Sequence, residues 1–328
     1  MTLLLNKKDV ASLLTMADAI RTVEEAFRQL ALGHVTMPQR TAIRVAEHNG
    51  VHLGMPAWIG GDIGALALKV VTVYPQNPAQ YSLPTIMGVL LLSDPKTGAP
   101  LAVMDASYLT AIRTGAASGV ATRHLARENA RTVGVFGAGV QAETQLEAVA
   151  SVRKLTRVQV YDPDTARARA YAERMAVRLS LDVTPAETAR AAVEGMDIII
   201  TASSAHEPVF DGAWLVPGQH INGVGSHTPD ARELDTKTIV RSTVIADLPS
   251  ACLAEAGDVM LPIQEGAIDH THLRAGLGEV IAGLKPGRVR DDEITLFKSV
   301  GLALQDASTA SVVYKRALDA RVGVEFAF

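Results

Sequence analysis

The feature that most constrains this chain is a run of small residues that follows a short apolar strand, TVGVFGAGVQA at positions 132–142. Gly137, Gly139 and Ala142 have the spacing G-x-G-x-x-A. Gly137 can take backbone angles that a side chain forbids, Gly139 lets the backbone approach a pyrophosphate, and Ala142 lets the next helix pack closely on its strand. Free N–H groups at the start of that helix then face the phosphates. The run predicts a dinucleotide-binding strand, turn and helix; an unrelated α/β glycine turn is the alternative.

The segments that follow this run agree with a dinucleotide site. Residues 143–152 are compatible with a helix, residues 158–161 predict the next strand, and Asp162 ends it 25 positions after the first glycine (162 − 137). A carboxylate there accepts hydrogen bonds from the ribose hydroxyls and repels a 2′-phosphate, so NAD is preferred over NADP. Arg167 and Arg169 keep NADP possible, although arginines on an exposed helix are more often simply solvated.

Composition restricts the class of protein. The 328 residues suffice for two domains, and 48% hydrophobic with 20% charged residues is usual for a globular chain. A net charge of −4 gives no attraction to nucleic acid or to a membrane surface. The single cysteine, Cys252, cannot form an intrachain disulfide, and no apolar run approaches the roughly 20 residues of a membrane helix. These features predict a cytoplasmic protein, and no histidine or cysteine spacing indicates a metal site.

Before the glycine run, the pattern predicts a mixed or antiparallel sheet with little helix. A strand at 3–5 and an amphipathic helix at 15–32 come first, and β-rich pieces follow at 37–43, 50–55, 64–74, 85–93 and 100–104. Residues 105–126 then predict one long helix. Small residues on that helix would allow very close packing: Ala111, Gly115, Ala116, Ala117, Gly119 and Ala121.

After the glycine run, strands and helices alternate as in a doubly wound sheet. Strands are expected at 133–136, 158–161, 183, 198–202, 220–224 and 243–246, and helices at 143–152, 166–179 and 186–193. Residues 293–298 return the chain toward the first domain, and 302–320 form a final helix. The fold class is therefore α/β, with a Rossmann-type dinucleotide-binding domain (119–298) inserted in an α+β substrate-binding and dimerisation domain (1–118 and 299–328).

Four side chains outside the glycine run could carry chemistry. Arg40, Lys69 and Arg113 are cations beside predicted strand or helix starts, and a guanidinium can clamp a carboxylate through two parallel hydrogen bonds. Lys69 interrupts the apolar run LALKVVT, so it is either paired in the interior or on an edge strand with its amine reaching solvent. His227 follows a glycine-flanked strand end, where a histidine could exchange a proton near neutral pH, although a loop histidine is usually just exposed.

Several segments together resemble the ornithine cyclodeaminase and mu-crystallin family. In order along nearly the whole chain they are MPQR (37–40), GMP (54–56), LKVV (68–71), LPT (83–85), TAIRTGAAS (110–118), GAGVQ (137–141), INGVGS (221–226), EAGD (255–258) and FKSVG (297–301). The helix around Arg113 is the most specific of these motifs.

The resemblance implies a homodimer built through the first domain, with the active site between the two domains. It implies that Arg40 and Lys69 hold the substrate carboxylate and that Val300 lines the substrate pocket. Lys69 and His227, the latter because of its place at a strand end, are the candidate catalytic residues. The residues that it assigns to the cofactor are Thr85, Arg113, Gly137, Ala138, Gly139, Val140, Gln141, Asp162, Thr201, Val224 and Ser299.

Two positions depart from the cyclodeaminase pattern. Leu53 stands where cyclodeaminases carry a glutamate, and His227 stands where they carry a catalytic aspartate. The run GSHTPD (225–230) resembles the ketimine reductase branch, which reduces Δ1-pyrroline-2-carboxylate and Δ1-piperideine-2-carboxylate to L-proline and L-pipecolate. The resemblance therefore implies an NAD(P)H-dependent ketimine reductase that acts on cyclic imino acids. The alternatives are an open-chain, alanine-type amino-acid dehydrogenase, an ornithine or lysine cyclodeaminase, and a crystallin-like NAD(P)H-binding protein.

Overall fold

The computed structural model describes residues 1–327, which form two compact units. Unit 1 combines Met1–Arg113 with the chain from Leu302 onward, and unit 2 is Thr114–Gly301. The sequence pattern places the corresponding divisions at 118/119 and 298/299.

Unit 1 contains an eight-stranded mixed sheet. Its strands are β1 (Thr2–Leu5), β2 (Val35–Thr36), β3 (Thr41–Val45), β4 (Gly50–Ile59), β5 (Ala65–Val73), β6 (Ile86–Ser93), β7 (Pro100–Asp105) and β16 (Val324–Phe326). The order is β16-β1-β7-β6-β5-β4-β2, with β3 also paired to β4, and every pair is antiparallel except β1 with β7. The prediction of a mixed sheet is confirmed.

Helices cover one face of this sheet. They are α1 (Lys7–Leu13), α2 (Met16–Ala31) and α11 (Ala303–Ala320). The short α3 (Asn77–Gln80) lies between β5 and β6 in the chain, and α4 (Ala106–Leu125) follows β7 directly. Helix α11 packs on β4 and β5. The side chains of β5 alternate accordingly: Ala65, Ala67, Lys69 and Val71 are buried, whereas Leu68 on the other face is 38% exposed.

Unit 2 is a doubly wound parallel sheet of eight strands. They are β8 (Thr132–Phe136), β9 (Arg157–Tyr161), β10 (Val183–Pro185), β11 (Ile198–Thr201), β12 (His220–Gly223), β13 (Ser242–Ala246), β14 (Leu273–Gly276) and β15 (Ile294–Lys298), in the order β10-β9-β8-β11-β12-β15-β13-β14. The helices are α5 (Val140–Val152), α6 (Thr165–Leu179), α7 (Thr236–Arg241), α8 (Pro249–Glu255), α9 (Gly257–Gln264) and α10 (Leu277–Ile281). The strand order reverses between β8 and β11, and ligands of such sheets bind beyond the carboxyl ends at that point. The predicted α/β fold class is confirmed.

One expectation for unit 2 is wrong, and another is incomplete. Residues 186–193 form successive turns and no helix, with bonds such as Val193 N to Arg190 O (3.0 Å) that span only three residues. This short connection lies against β8, since a Cβ on Gly134 would be 1.7 Å from the Ala192 carbonyl oxygen. Residues 294–298 do not simply lead the chain out of the domain: they form β15, whose five residues are all buried because β12 and β13 pair on either side. Within residues 1–327, no helix has both the length and the apolar character required to cross a bilayer.

Candidate active site

The glycine turn between β8 and α5 has the geometry of a phosphate-binding loop. Gly137 has φ +99°, and a Cβ there would be 2.6 Å from the Ala202 carbonyl oxygen, so a side chain is excluded. Gly139 differs, because a Cβ there would meet nothing within 4 Å. Gly139 is also the N-cap of α5, and no side chain accepts a hydrogen bond from the first turn of that helix. The N–H groups of this turn can therefore bind an anion.

Asp162 ties this loop to the end of β9. It is 8% exposed and accepts hydrogen bonds from the Ala138 N–H (3.1 Å) and the Asp164 N–H (3.0 Å). Tyr171 on α6 supports the same region by donating its buried hydroxyl to the Ala142 carbonyl oxygen (2.9 Å). The carboxylate is thus held at a fixed position beside the glycine loop.

The donor and acceptor set around this loop fits a dinucleotide. Among residues 1–327, neither Thr201 Oγ1 nor Gln141 Oε1 has a hydrogen-bond partner, although both atoms are buried. Thr201 ends β11 and Gln141 lies in the first turn of α5. These two groups, the N–H groups of α5 and the Asp162 carboxylate offer contacts for an amide, a pyrophosphate and a ribose.

In unit 1, a buried charge cluster surrounds Lys69. This lysine is 1% exposed at the centre of β5, and its Nζ lies 2.8 Å from Asp306 Oδ2 on α11. Arg113 Nε lies 2.9 Å from Asp306 Oδ1, and Arg113 Nη1 donates to Gln305 Oε1 (2.5 Å). The edge-strand interpretation of Lys69 is wrong, since β5 pairs with β4 and β6 on its two sides.

Two cations share one carboxylate in this cluster, which alters the titration of the lysine. Burial, followed by the charge of Arg113, lowers the pKa of Lys69 to about 7, while Asp306 opposes the shift. The charge of Arg40, which is half-buried before β3, also lowers this pKa. The cluster carries excess positive charge and suits an anionic group.

Thr85, another expected site residue of unit 1, lies just before β6. Its carbonyl oxygen accepts a hydrogen bond from Tyr74 N (2.8 Å).

The loop after β12 carries Val224 and His227. The Val224 N–H donates to the Thr201 carbonyl oxygen (3.0 Å), and this bond joins the ends of β12 and β11. His227 is exposed, and its Nδ1 lies 3.0 Å from the Gly225 carbonyl oxygen. A carbonyl only accepts hydrogen bonds, so this contact fits an imidazole that carries a proton on Nδ1.

Glu233 holds the loops that follow β11 and β12, and the sequence analysis missed it. Its carboxylate accepts hydrogen bonds from Ser203 N (2.7 Å), Ser203 Oγ (2.6 Å) and Gly225 N (2.7 Å). Asp258 Oδ1 in turn accepts from Glu233 N (2.7 Å), and Asp258 Oδ2 lies 2.6 Å from Lys298 Nζ. Burial and the charge of Asp258 raise the pKa of Glu233. The sequence does contain one indication of a buried acidic partner, because Lys298 ends the otherwise apolar strand ITLFK.

A second residue that the sequence analysis missed, Asp247, fixes the turn after β15. Its Oδ2 accepts hydrogen bonds from Ser299 Oγ (2.8 Å), Val300 N (2.9 Å) and Gly301 N (2.9 Å). Gly301 has φ +79°, a conformation that favours glycine. The expected site residues Ser299 and Val300 are thus buried and rigidly placed in unit 2.

The sequence profile of one family, described as the ornithine cyclodeaminase/mu-crystallin family, matches residues 1–321. The chain belongs to this family. It is similar to a solved structure of Thermococcus litoralis Δ1-pyrroline-2-carboxylate reductase in complex with NADH and L-proline, with 47% identity, a TM-score of 0.96, and coverage of 99% of this chain and 100% of the other.

Two curated family members span the whole chain. An alanine dehydrogenase of Archaeoglobus fulgidus is 40% identical, with 100% of this chain and 98% of the relative covered. A Δ1-pyrroline-2-carboxylate reductase of Bacillus cereus is 38% identical, with 99% of this chain and 100% of the relative covered. The predicted family is confirmed.

The site residues that the family resemblance implies are divided between the two units. Arg40, Lys69, Thr85 and Arg113 lie in unit 1, and the structure brings Lys69 and Arg113 together on Asp306. The others lie in unit 2: Gly137, Ala138, Gly139, Val140, Gln141, Asp162, Thr201, Val224, His227, Ser299 and Val300. Their roles toward substrate and cofactor stay predictions.

Proposed function

We propose that this protein is an NADH-dependent reductase of cyclic ketimine carboxylates. It converts Δ1-pyrroline-2-carboxylate to L-proline and Δ1-piperideine-2-carboxylate to L-pipecolate. The observation that carries the proposal is the full-length similarity, at 47% identity, to a pyrroline-2-carboxylate reductase whose structure holds NADH and L-proline.

In this proposal, unit 1 binds the substrate carboxylate. Among residues 1–327, Lys69 and Arg113 share a single counter-ion, Asp306, so a second anion is needed to balance their charge in the protein interior. Arg40 contributes further positive charge to Lys69. The carboxylate therefore contacts Lys69 and Arg40, and Val300 lines the pocket for the ring.

Unit 2 would hold the cofactor. The first turn of α5 binds the pyrophosphate, and Asp162 accepts hydrogen bonds from the adenosine ribose. Arg113, Thr85, Val224 and Ser299 are further cofactor contacts in this proposal. Bound NADH supplies a hydride to the imine carbon. Because a cyclic ketimine can bind already protonated, hydride addition needs no strong general acid, and His227 or water would supply the proton that converts the product amine to an ammonium.

An assay panel tests this function. NADH oxidation is followed with pyrroline-2-carboxylate, piperideine-2-carboxylate, and pyruvate plus ammonia. We expect turnover with both ketimines and amounts of proline or pipecolate equal to the NADH consumed. Absence of ketimine turnover in protein that binds NADH would contradict the proposal.

Variants of the cationic residues test the placement of the carboxylate. Lys69→Ala and Arg40→Ala are each expected to raise the substrate KM strongly with little change in NADH affinity. Removal of one partner of a buried charged pair costs about 2–5 kcal/mol. Lys96→Ala is the matched control, because Lys96 is an exposed lysine of unit 1 in the turn before β7. Unchanged kinetics in both site variants would place the carboxylate elsewhere.

The 40% identity to an alanine dehydrogenase supports a second candidate, an open-chain amino-acid dehydrogenase. Such an enzyme oxidises NADH with pyruvate only when ammonia is present, whereas ketimine reduction does not depend on ammonia. A cyclodeaminase would instead release ammonia from ornithine or lysine. A crystallin-like binding protein would bind NADH without turnover of any of these substrates.

The sheet of unit 1 supports a homodimer. On the face opposite α11, exposed apolar side chains lie on adjacent strands: Trp58 is 41%, Leu68 is 38% and Val89 is 53% exposed. The strand pairing places all three on one face. Leu68 lies opposite Pro56 and Leu91, and Trp58 and Val89 are each two residues along the strand from those partners. A contiguous apolar face of this kind favours association with a second copy. Light scattering after gel filtration should give a dimer mass, and Leu68→Lys should shift it toward the monomer.

A further inference from the structure

We propose that Asp306 is a positioning residue of the substrate site, whose carboxylate holds Lys69 beside Arg113 so that the lysine amine is fixed for contact with the substrate carboxylate. The inference rests on the proposed function, because it concerns the same ketimine carboxylate. It assigns a role to a residue that neither the sequence motifs nor the glycine loop indicates.

The geometry of the cluster carries the inference. Asp306 uses a different oxygen for each cation, Oδ2 for Lys69 Nζ at 2.8 Å and Oδ1 for Arg113 Nε at 2.9 Å. All three side chains are at least nine-tenths buried. A carboxylate that bridges two cations fixes the distance between them, which neither long side chain could do by itself.

Asp306 is itself held firmly. It lies in the first turn of α11, where a negative charge is favoured by the helix dipole. The preceding residue, Gln305, is fully buried; its Oε1 accepts hydrogen bonds from Arg113 Nη1 (2.5 Å) and from Leu302 N (3.3 Å). One turn of one helix thus orients the guanidinium through two adjacent side chains.

The charges around Lys69 give the bridge a measurable consequence. The charged groups that act on Lys69 are Arg113 from α4, Asp306 from α11 and Arg40 from the segment before β3. Of these, only Asp306 favours the protonated amine, and the pKa of Lys69 is about 7 with Asp306 present. Removal of the Asp306 charge would lower this pKa further and leave the amine neutral at pH 7.

Binding of an anion has the opposite effect. A substrate carboxylate beside Lys69 adds a negative charge, which raises the pKa of the amine. At pH 8, where Lys69 is mostly neutral in the free protein, the complex must therefore take up a proton. A cluster that only supports the fold would not link ligand binding to protons in this way.

The experiment compares the parent protein with Asp306→Asn and Asp306→Glu, with Lys96→Ala as control. Calorimetry measures the binding of pyrrole-2-carboxylate, a planar analogue of the imine, to NADH-saturated protein between pH 6 and pH 8 in two buffers of different ionisation enthalpy. We expect proton uptake at pH 8 in the parent and in Lys96→Ala. In Asp306→Asn we expect the affinity for pyrrole-2-carboxylate at pH 7 to fall about tenfold or more, and the pH dependence of this affinity to move to lower pH. Asp306→Glu should partly restore both the affinity and its pH dependence.

Each result decides the matter. An unchanged pH dependence in Asp306→Asn, or an equal loss of affinity at every pH, would overturn the positioning role. If Asp306→Asn does not fold, two other measurements replace it: the proton uptake of the parent when it binds the analogue at pH 8, and the change of that uptake in Gln305→Leu. Absence of proton uptake in the parent at pH 8 would overturn the inference. If the parent binds the analogue with proton uptake but reduces no ketimine, the proposed function fails and the inference stands. If the parent binds no cyclic carboxylate, both fail.

Discussion

At the scale of single residues, we predict that Asp162 determines which dinucleotide the protein prefers. Its carboxylate is fixed by two backbone N–H groups, so it cannot swing away from a 2′-phosphate. We predict that NADH binds at least about tenfold more tightly than NADPH, because a like-charge clash of this kind costs several kcal/mol. Fluorescence titration with both cofactors checks this, and Asp162→Ala should reduce the ratio between the NADH and NADPH affinities. Equal affinities in the parent would instead indicate that Arg167 or Arg169 binds the phosphate.

His227 tests how much proton transfer the protein supplies. We predict that His227→Ala keeps measurable ketimine reduction, since a general acid or base typically contributes about 10²–10⁴-fold and a protonated imine needs little help. His227→Asp should weaken reduction, and it restores the carboxylate that cyclodeaminases carry at this position. The measurements are proline formation from pyrroline-2-carboxylate and ammonia release from ornithine. Rapid ammonia release by the parent without ketimine reduction would reverse the assignment.

Lys69 shows why a site residue can be noticed in a sequence and still not be placed. The run LALKVVT marks the lysine as unusual, but its environment depends on Asp306, which is 237 positions away (306 − 69). No local pattern connects the two residues. The glycine run differs, because its function depends on neighbours in the chain, and the sequence therefore predicts its turn and its helix start.

At the scale of elements, Gly115 on α4 allows a close approach to α5. A Cβ on Gly115 would lie 2.4 Å from the Thr144 carbonyl oxygen. Helix propensity alone would favour alanine by up to about 1 kcal/mol. We predict instead that Gly115→Ala destabilises the protein and lowers the free energy of unfolding by about 1–3 kcal/mol, because the backbone of α5 would have to move to accommodate the new methyl group. Urea unfolding checks this against Ser151→Ala, an exposed change on α5 that should stay within about 0.5 kcal/mol.

Long helices and strands could be predicted from the sequence, whereas short helices could not. Helices α2, α4 and α11 and the longer strands of unit 1, β4 to β7, have enough residues for their periodicity to be recognised. Helices α7 to α10 have five to eight residues each, and α9 contains Pro262, so their patterns are weak. The central position of β15 could not be inferred either, because strand order depends on crossovers between distant segments.

At the scale of the whole molecule, His220 makes stability depend on pH. It is fully buried on β12, with its ring against Thr295 Oγ1 (3.0 Å) and Asn222 Oδ1 (3.3 Å). Burial, followed by the charge of Arg288, lowers its pKa to about 3 from the ordinary 6.5. Between those values the unfolded chain binds one more proton than the folded chain, so stability present above pH 6.5 is lost as the pH falls toward 3.

We therefore predict acid sensitivity that depends on one histidine. From pH 6.5 to pH 4.5 the free energy of unfolding should fall by on the order of 2–3 kcal/mol because of His220. His220→Gln, which can still donate and accept hydrogen bonds, should remove that part of the slope in urea unfolding. His48→Gln is the control, because His48 is exposed. An identical slope in His220→Gln would mean that other groups cause the acid sensitivity.

Unit 1 is assembled from two segments of chain, and this has a consequence for the time course of synthesis. The stretch between them is 188 residues long (301 − 113), which takes about 10–40 s to translate at roughly 5–20 residues per second. During that interval β5 has been made but α11 has not, so Lys69 has no counter-ion and cannot be buried at low cost. Unit 2 is contiguous and can fold first. The cluster of Lys69, Arg113 and Asp306 therefore forms only after the ribosome has finished unit 2, and the early strands must avoid aggregation until then.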